Sequence, residues 1–187
     1  MKNIILAIIA IAYPFIIYYG LAYIEPAVMA GVFAVFFIVR YLNQKHSKFS
    51  LPHLNIILGV VLTLLIYSAI ANSAMALKFY PVIVSLCFLG VFAYSLYKPP
   101  SVVEMIARLH EDIDSEGVLY TRKVTLVWCC FFICNAFISS LTVFHPDESL
   151  WLLYNGLVSY LLMGLLMAAE FTVRYFVKRA KTKSKAH

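Results

Sequence analysis

The sequence predicts an all-α fold, namely a polytopic membrane helical bundle of six transmembrane helices with one short interfacial amphipathic helix. Its 187 residues are 63% hydrophobic and only 13% charged, whereas a water-soluble surface needs roughly twice this density of charge. Apolar stretches of membrane-spanning length recur along the whole chain, and the basic residues collect between alternate stretches. Lipid is therefore the expected solvent for most of the protein.

Each apolar stretch comes close to the ~20 residues that a spanning helix needs. The six stretches lie at 4–24, 26–42, 54–77, 80–97, 124–144 and 150–173. The first is expected to be an uncleaved span, because cleavage after Ala12 would leave an apolar core of about six residues, below the usual minimum of about seven in a signal peptide. A single membrane domain over 1–187 follows, with a cytoplasmic amphipathic loop at 98–123 and a basic tail at 174–187.

The basic residues predict the orientation. Of the 15 Lys and Arg residues, only Lys78 lies in a segment that a topology with the N-terminus inside places outside. The positive-inside rule therefore predicts that both termini are cytoplasmic. The net charge of +6 could also indicate nucleic-acid binding, but basic residues beside membrane spans have anionic lipid headgroups as their nearest counter-charge. Membrane lipids are expected partners, and nucleic acid is not.

The loop at 98–123 carries the clearest local signals. Ser101 and Glu104 have the S-x-x-E spacing of a capping box, which predicts a helix over 101–110. Its apolar residues follow helical spacing on one side, and its charged residues share the other, which predicts a helix lying along the membrane surface. Either this helix is a linker packed under the bundle, or the loop is a contact surface formed by Lys98, Glu104, Arg108, Arg122 and Lys123.

Strongly polar residues within the spans are few. Asn135 lies near the middle of the fifth stretch, and an interhelical hydrogen bond would explain it. Glu170 lies near the inner boundary, where Arg174 one turn later can neutralise it. A proton-coupled pump is not expected without a deeper charged side chain. The alternative is an intramembrane polar site of a lipid carrier, lined by Tyr94, Trp128, Asn135 and Glu170.

No sequence pattern indicates a metal, a cofactor or a catalytic residue. The four cysteines all lie in apolar stretches, where cysteine behaves as a small buried hydrophobe. The acidic run at 111–117 is too short for an EF-hand. The usual nucleophile, zinc and phosphate-loop motifs are missing from the sequence. An enzyme would have to use His110 and Glu111 at the membrane surface, and this alternative stays open.

Small residues one turn apart predict where helices approach closely. Lipid supplies no hydrophobic drive between helices, so close packing must hold them together, and small side chains allow it. The pairs are Ala27/Gly31, Ala30/Ala34, Ala69/Ser73 and Gly164/Ala168. One such face could form a homodimer.

The second half of the sequence resembles the intracellular septation protein A (YciB-like) family of bacterial inner-membrane proteins. The matching features run from Lys98-Pro99 through the W-x-x-F-F phrase at 128–132 and Asn135 to Trp151 and Asn155. The phrases at 118–128, 154–156 and 160–164 are closer to an uncharacterised branch encoded with lipid and aryl-polyene synthesis genes. The resemblance implies an inner-membrane protein of envelope maintenance or septation, without established catalytic residues.

These observations together lead to one main hypothesis of function. The protein is expected to be a non-enzymatic scaffold or accessory that supports envelope maintenance or lipid-linked biosynthesis. Its partners would be membrane biosynthetic or division proteins. The alternative is a carrier or flippase for an acyl or polyene lipid.

Overall fold

A computed structural model describes residues 13–43, 54–109 and 112–185, and within these ranges the chain is helical with no strand, which confirms the all-α class. The expectations on Lys2, on most of the 43–53 loop, on His110 and on Glu111 lie outside the described residues. The helices are α1 (13–20), α2 (Pro26–Asn43), α3 (Leu54–Ala71), α4 (Ala74–Lys78), α5 (Tyr80–Tyr97), α6 (Val102–Arg108), α7 (Ser115–Phe144), α8 (Glu148–Leu153) and α9 (Ser159–Lys185).

In the described part of the chain, three continuous helical stretches are long and apolar enough to cross a membrane. They are Tyr80–Tyr97, Ser115–Phe144 and Glu148–Val177. The third runs through α8, a π-helical turn at Tyr154–Val158 and the first part of α9. Two shorter apolar segments, Pro26–Val35 and Gly59–Ala71, belong to α2 and α3. The protein therefore has the helices of a membrane protein.

The stretch 54–77 was expected to be one helix, and the structure divides it into α3 and α4. Asn72 has a φ of 45°, in the left-handed region that asparagine tolerates better than most residues. Ser73 then caps α4 by accepting a hydrogen bond from the backbone N–H of Ala76 at 3.3 Å. The Asn72 Oδ1 also accepts a hydrogen bond from the backbone N–H of Ala27 at 3.0 Å, so this corner caps α2 as well.

The sequence predicted a loop that continues to residue 123. The helix that contains the fifth apolar stretch instead begins at Ser115. Asp114 is the cap, and its carboxylate accepts a hydrogen bond from the Gly117 N–H at 3.0 Å. An acidic residue at this position stabilises the start of a helix by satisfying a free donor and by opposing the helix dipole. The first turns of α7 thus consist of residues that the sequence had assigned to the polar loop. The non-helical connection between α5 and α7 is shorter than expected.

The core lies between two packed pairs of helices. Helix α2 packs on α3, α5 packs on α7, and α3 contacts α5. Tyr13 of α1 is buried at their junction, with its ring 4.0 Å from Tyr80 and 4.9 Å from Phe33 between centroids. Its hydroxyl donates to the carbonyl of Leu77 at 3.2 Å. Ala30 of α2 is fully buried in the same cluster, as the small-residue spacing predicted for this face.

Helix α9 differs from the others because the other described helices cover little of it. It packs on the π-helical turn that precedes it, but most of its apolar side chains between 161 and 177 are exposed. The predicted packing face at Gly164 and Ala168 is exposed too, and a Cβ atom added at Gly164 would meet nothing within 4 Å. None of the described helices packs on that face.

Candidate functional site

Helix α6 forms with the cap that the sequence predicted. The Ser101 Oγ accepts from the Glu104 N–H at 3.3 Å, and the Glu104 carboxylate accepts from the Ser101 N–H at 3.4 Å, which completes a capping box. The helix spans Val102–Arg108, slightly less than the predicted 101–110. Its start is therefore fixed by two reciprocal hydrogen bonds.

Burial on α6 within the chain does not divide along its predicted apolar and charged sides, and the orientation of the helix along the membrane surface stays a prediction. Glu104 is only 6% exposed, whereas Ile106 and Leu109 are 46% and 59% exposed. The reason is local, because the capping box folds the Glu104 carboxylate back over the start of the helix. There it also accepts from Arg108 Nε at 3.0 Å. The ion pair at i, i+4 is thus present, and apolar side chains project outward beside it.

Two neighbours hold α6 in place. The Val102 N–H donates to the Ser95 Oγ of α5 at 3.1 Å, and α6 packs on α7. Val102 and Ala107 are buried in these contacts. A short helix of seven residues would be marginal on its own, so these contacts and the cap make it a fixed platform. We call α6 and its outward residues Ile106, Arg108 and Leu109 the α6 platform.

The other predicted contact-loop residues lie on either side of the platform. Lys98 follows α5 directly, is exposed, and has its Nζ 5.7 Å from the ring centroid of Tyr94, within the range of a cation–π interaction. Arg122 and Lys123 are exposed on the early turns of α7. We call this end of the bundle, marked by Lys98, Arg122 and Lys123, the basic end.

Helix α9 reaches α7 near the same end. The Tyr120 hydroxyl lies 3.4 Å from the backbone carbonyl oxygen of Glu170 and 3.5 Å from its carboxylate, both acceptors. Arg174 interacts electrostatically with the same tyrosine. Glu170 is therefore half-buried against a tyrosine, which the sequence did not identify as its partner.

Asn135 lies in a buried polar junction between three elements. Its Nδ2 donates to the Ser85 Oγ of α5 at 2.9 Å, and its Oδ1 accepts from the Tyr154 hydroxyl at 3.0 Å. Ser85 in turn donates to the Pro81 carbonyl at 2.9 Å. The expected interhelical hydrogen bond of Asn135 is thus present, and there are two of them.

A second junction lies one turn farther along α7. Ser139 donates to the Asn155 Oδ1 at 2.6 Å, and the Asn155 Nδ2 donates to the Trp151 carbonyl at 3.0 Å and to Thr142 at 3.2 Å. Asn155 belongs to the π-helical turn, where wider winding leaves α-helical carbonyl partners free. Among the described residues no buried side-chain N or O atom is left without a partner, so these junctions are closed structural links.

The four residues proposed for an intramembrane polar site belong to different neighbourhoods. Asn135 is in the first junction, Glu170 lies by Tyr120, and Tyr94 lies by Lys98. Trp128 belongs to an aromatic cluster between α5 and α7, together with Phe88, Phe92, Phe131 and Phe132. Each of the four therefore takes part in local side-chain contacts. The residues that complete the two polar junctions are Ser85, Tyr154 and Asn155. Sequence analysis missed them, because such residues are common in membrane helices.

At the opposite end of the bundle, Lys78 is the one lysine among the described residues, and it is paired. Lys78 forms an ion pair with Glu148, and the Lys78 carbonyl accepts from the indole N–H of Trp151 at 3.0 Å. Asp147 caps α8 by accepting from the Ser149 N–H at 2.9 Å. The hydrogen bonds from Ser149 lower the pKa of the Asp147 carboxyl. This Lys78 end therefore carries a paired rather than an isolated positive charge.

Comparisons with protein-family models, with curated proteins and with solved structures gave no match. The resemblance to the septation protein family thus stays a prediction. Among the described residues, no group of three or more His, Cys, Asp and Glu side chains could hold a metal ion. The basic end with its α6 platform is the best-defined polar surface on the described part of the chain.

Proposed function

We propose that this protein is a six-span bacterial inner-membrane protein that acts as a scaffold or accessory in envelope maintenance or lipid-linked biosynthesis, without catalysis of its own. The α6 platform and the basic residues beside it are the contact surface for a membrane protein of those processes. The observation that carries the proposal is the fixed α6 platform, which presents apolar and basic side chains outward.

Helix α6 needs its neighbours to stay folded in this position. A seven-residue segment would not stay helical alone, yet it is capped at its start and bound to both α5 and α7. A linker packed under the bundle would make the same contacts, so the two alternatives differ in which side chains α6 leaves exposed. Ile106 and Leu109 remain exposed on the fixed helix, and exposed apolar groups rimmed by charge are typical of an interaction site.

The charge distribution supports the proposed orientation. The basic end would be cytoplasmic by the positive-inside rule, and Lys78 at the other end is paired with Glu148. Helices α5, α7 and the α8–α9 stretch would then cross in alternate directions. Reporter fusions after Ser50 and at the C-terminus test this orientation. Both are expected to give a cytoplasmic signal, and an external signal at either position would overturn the topology.

The contact surface is tested by complementation of a strain that lacks the gene. We expect that strain to be sensitive to detergent through its altered envelope and the wild-type protein to restore resistance. Replacing Ile106 and Leu109 by serine should abolish restoration while the protein still accumulates in the membrane, since both side chains are exposed.

The matched control is Ile70→Ser, an apolar side chain that is 82% exposed on α3, away from α6. It should restore resistance normally. If the α6 variant restores resistance as well as the control does, the platform is not the contact surface.

A further inference from the structure

Helix α4 is a separate short element at the Lys78 end of the bundle. It has five residues, too few to stay helical alone, and the left-handed backbone of Asn72 separates it from α3. The Tyr13 hydroxyl of α1 donates to its Leu77 carbonyl at 3.2 Å. The Trp151 indole N–H of α8 donates to its Lys78 carbonyl at 3.0 Å. The position of α4 therefore depends on contacts with its neighbours.

Lys78 contacts α8 through two of its groups at once. Its Nζ forms an ion pair with Glu148, and its carbonyl accepts from Trp151. The Lys78 side chain is only 14% exposed, whereas that of Glu148 is 57% exposed. A lysine that loses its carboxylate partner in so covered a position must move its ammonium group to water, because an unpaired charge is costly there. Because the same residue carries the carbonyl bound by Trp151, this movement also pulls on that hydrogen bond.

The contact between α4 and α8 uses charge where apolar packing would serve. Packed apolar side chains often replace a buried ion pair with no loss of stability, so stability alone does not require these two charges. Lys78 also lies at the end that the positive-inside rule predicts to be outside, where lysine is disfavoured. An ion pair provides something that an apolar contact does not, namely a strength that depends on pH.

Three other titratable groups lie in the connections at this end. Glu25 lies between α1 and α2, and His145 and Asp147 lie between α7 and α8. The Asp147 carboxylate accepts from the Ser149 N–H at 2.9 Å and from its hydroxyl at 2.6 Å. His145 Nδ1 accepts from the Asp147 N–H at 3.0 Å. These bonds lie within one turn of the chain, whereas the carboxylate of Glu148 contacts a charge on α4.

We propose that Lys78 and Glu148 form an acid-sensitive latch, in which protonation of the Glu148 carboxylate releases α4 from α8 and opens the Lys78 end of the bundle. At neutral pH the carboxylate is ionised and the latch is closed. In acid the carboxylate takes up a proton from the solvent and no longer balances the Lys78 ammonium, which moves to water and draws its carbonyl away from the Trp151 indole. The latch is separate from the α6 platform and does not depend on the proposed function.

Trp151 reports on the latch, because its side chain is 1% exposed and bound to Lys78. The chain has two tryptophans, so Trp128→Phe leaves Trp151 as its single indole fluorophore. The purified full chain with this change is titrated in detergent from pH ~7 to pH ~4, towards the range in which glutamate carboxylates take up protons. We expect the Trp151 emission to move to longer wavelength and its quenching by acrylamide to increase severalfold, while the helical circular dichroism stays constant.

Two kinds of variant in this background separate the latch from other effects of acid. Lys78→Met combined with Glu148→Leu replaces the ion pair by apolar side chains, so the Trp151 emission should no longer respond to pH. Asp147→Asn and His145→Gln are the matched controls, since each removes a titratable group from the neighbouring connection. Both controls should keep the response of the parent protein.

A further variant needs no titration. Glu148→Gln is uncharged at every pH, so at neutral pH it should already show the emission and the quenching of the acid form. Emission like that of the parent protein in Glu148→Gln would overturn the proposal, as would a parent protein that does not respond to acid or loses its helical circular dichroism in parallel. A response that persists in the double apolar variant, or that disappears in Asp147→Asn or His145→Gln, would overturn it in favour of another titrating group.

Discussion

Replacing Asn135 by leucine tests whether the buried junction stabilises the bundle. Leucine has a similar size, so the main loss is the pair of hydrogen bonds to Ser85 and from Tyr154, at 2.9 and 3.0 Å. Interhelical hydrogen bonds in membrane proteins contribute about 0.6 kcal/mol each on average, with a maximum near 1.7 kcal/mol. The expected loss in free energy of unfolding is therefore about 1 to 3 kcal/mol.

A double-mutant cycle separates the two bonds. Tyr154→Phe removes only the bond to the Asn135 Oδ1, so it should cost about half as much as Asn135→Leu. The double variant should cost less than the sum of the two single variants, by about 0.6 kcal/mol, since both single changes remove the same bond. Equilibrium unfolding in lipid bicelles, followed by helical circular dichroism or steric trapping, gives all three values.

The matched control is Thr172→Val, whose hydroxyl donates at 2.8 Å to the Ala168 carbonyl within its own helix. Its effect should stay within about 0.5 kcal/mol, as for most exposed substitutions. Additive effects of Asn135→Leu and Tyr154→Phe, or a loss no larger than that of the control, would refute the claim that this junction joins three elements.

Three further predictions follow from local geometry. In the same unfolding measurement, Gly156→Ala should be less favourable than Gly164→Ala, because its Cβ would lie 3.0 Å from the Phe15 ring, which would have to shift. Gly164→Ala meets nothing within 4 Å and should be neutral or stabilising by up to about 1 kcal/mol. Ser101→Ala should lower stability by about 1 kcal/mol and increase amide exchange in α6, through loss of the cap; unchanged exchange would contradict the capping role. The lowered pKa of Asp147 means that its ionised form is favoured in the folded state. Its contribution to the free energy of unfolding should therefore be present above pH ~4 and be lost as the pH falls through the folded pKa. Asp147→Asn should remove this pH dependence.

The helices themselves could be predicted well from the sequence, because hydropathy and capping are local properties. Ser101 and Glu104 lie three residues apart and formed the predicted box. The break after Ala71 was missed because the apolar pattern continues through it. What divides the segment is the left-handed backbone of Asn72 together with its bond to Ala27, 45 residues away, and a long-range bond of this kind has no local signal.

The candidate sites were predicted less well for a related reason. Asn135 was identified because an amide deep in an apolar helix is rare, but its partners Ser85 and Tyr154 are common in membrane helices and look unremarkable in a sequence. Helical periodicity placed Glu104 with Arg108 on the charged side of α6 and gave no sign that it would be buried. The capping box overrides that periodicity, since the side chain must turn back to reach the Ser101 N–H.

The central claim, that function resides at the basic end and not in the interior of the bundle, is tested most directly by comparing two variants in the detergent-resistance assay. Lys98→Glu combined with Arg122→Glu reverses two exposed charges beside the α6 platform, and it leaves intact the Arg108 side chain that pairs with Glu104. With membrane levels matched by immunoblotting, this variant should fail to restore resistance while Asn135→Leu restores it. The reverse ranking, with Asn135→Leu inactive and the charge-reversed variant normal, would contradict the account and favour a lipid pathway through the bundle.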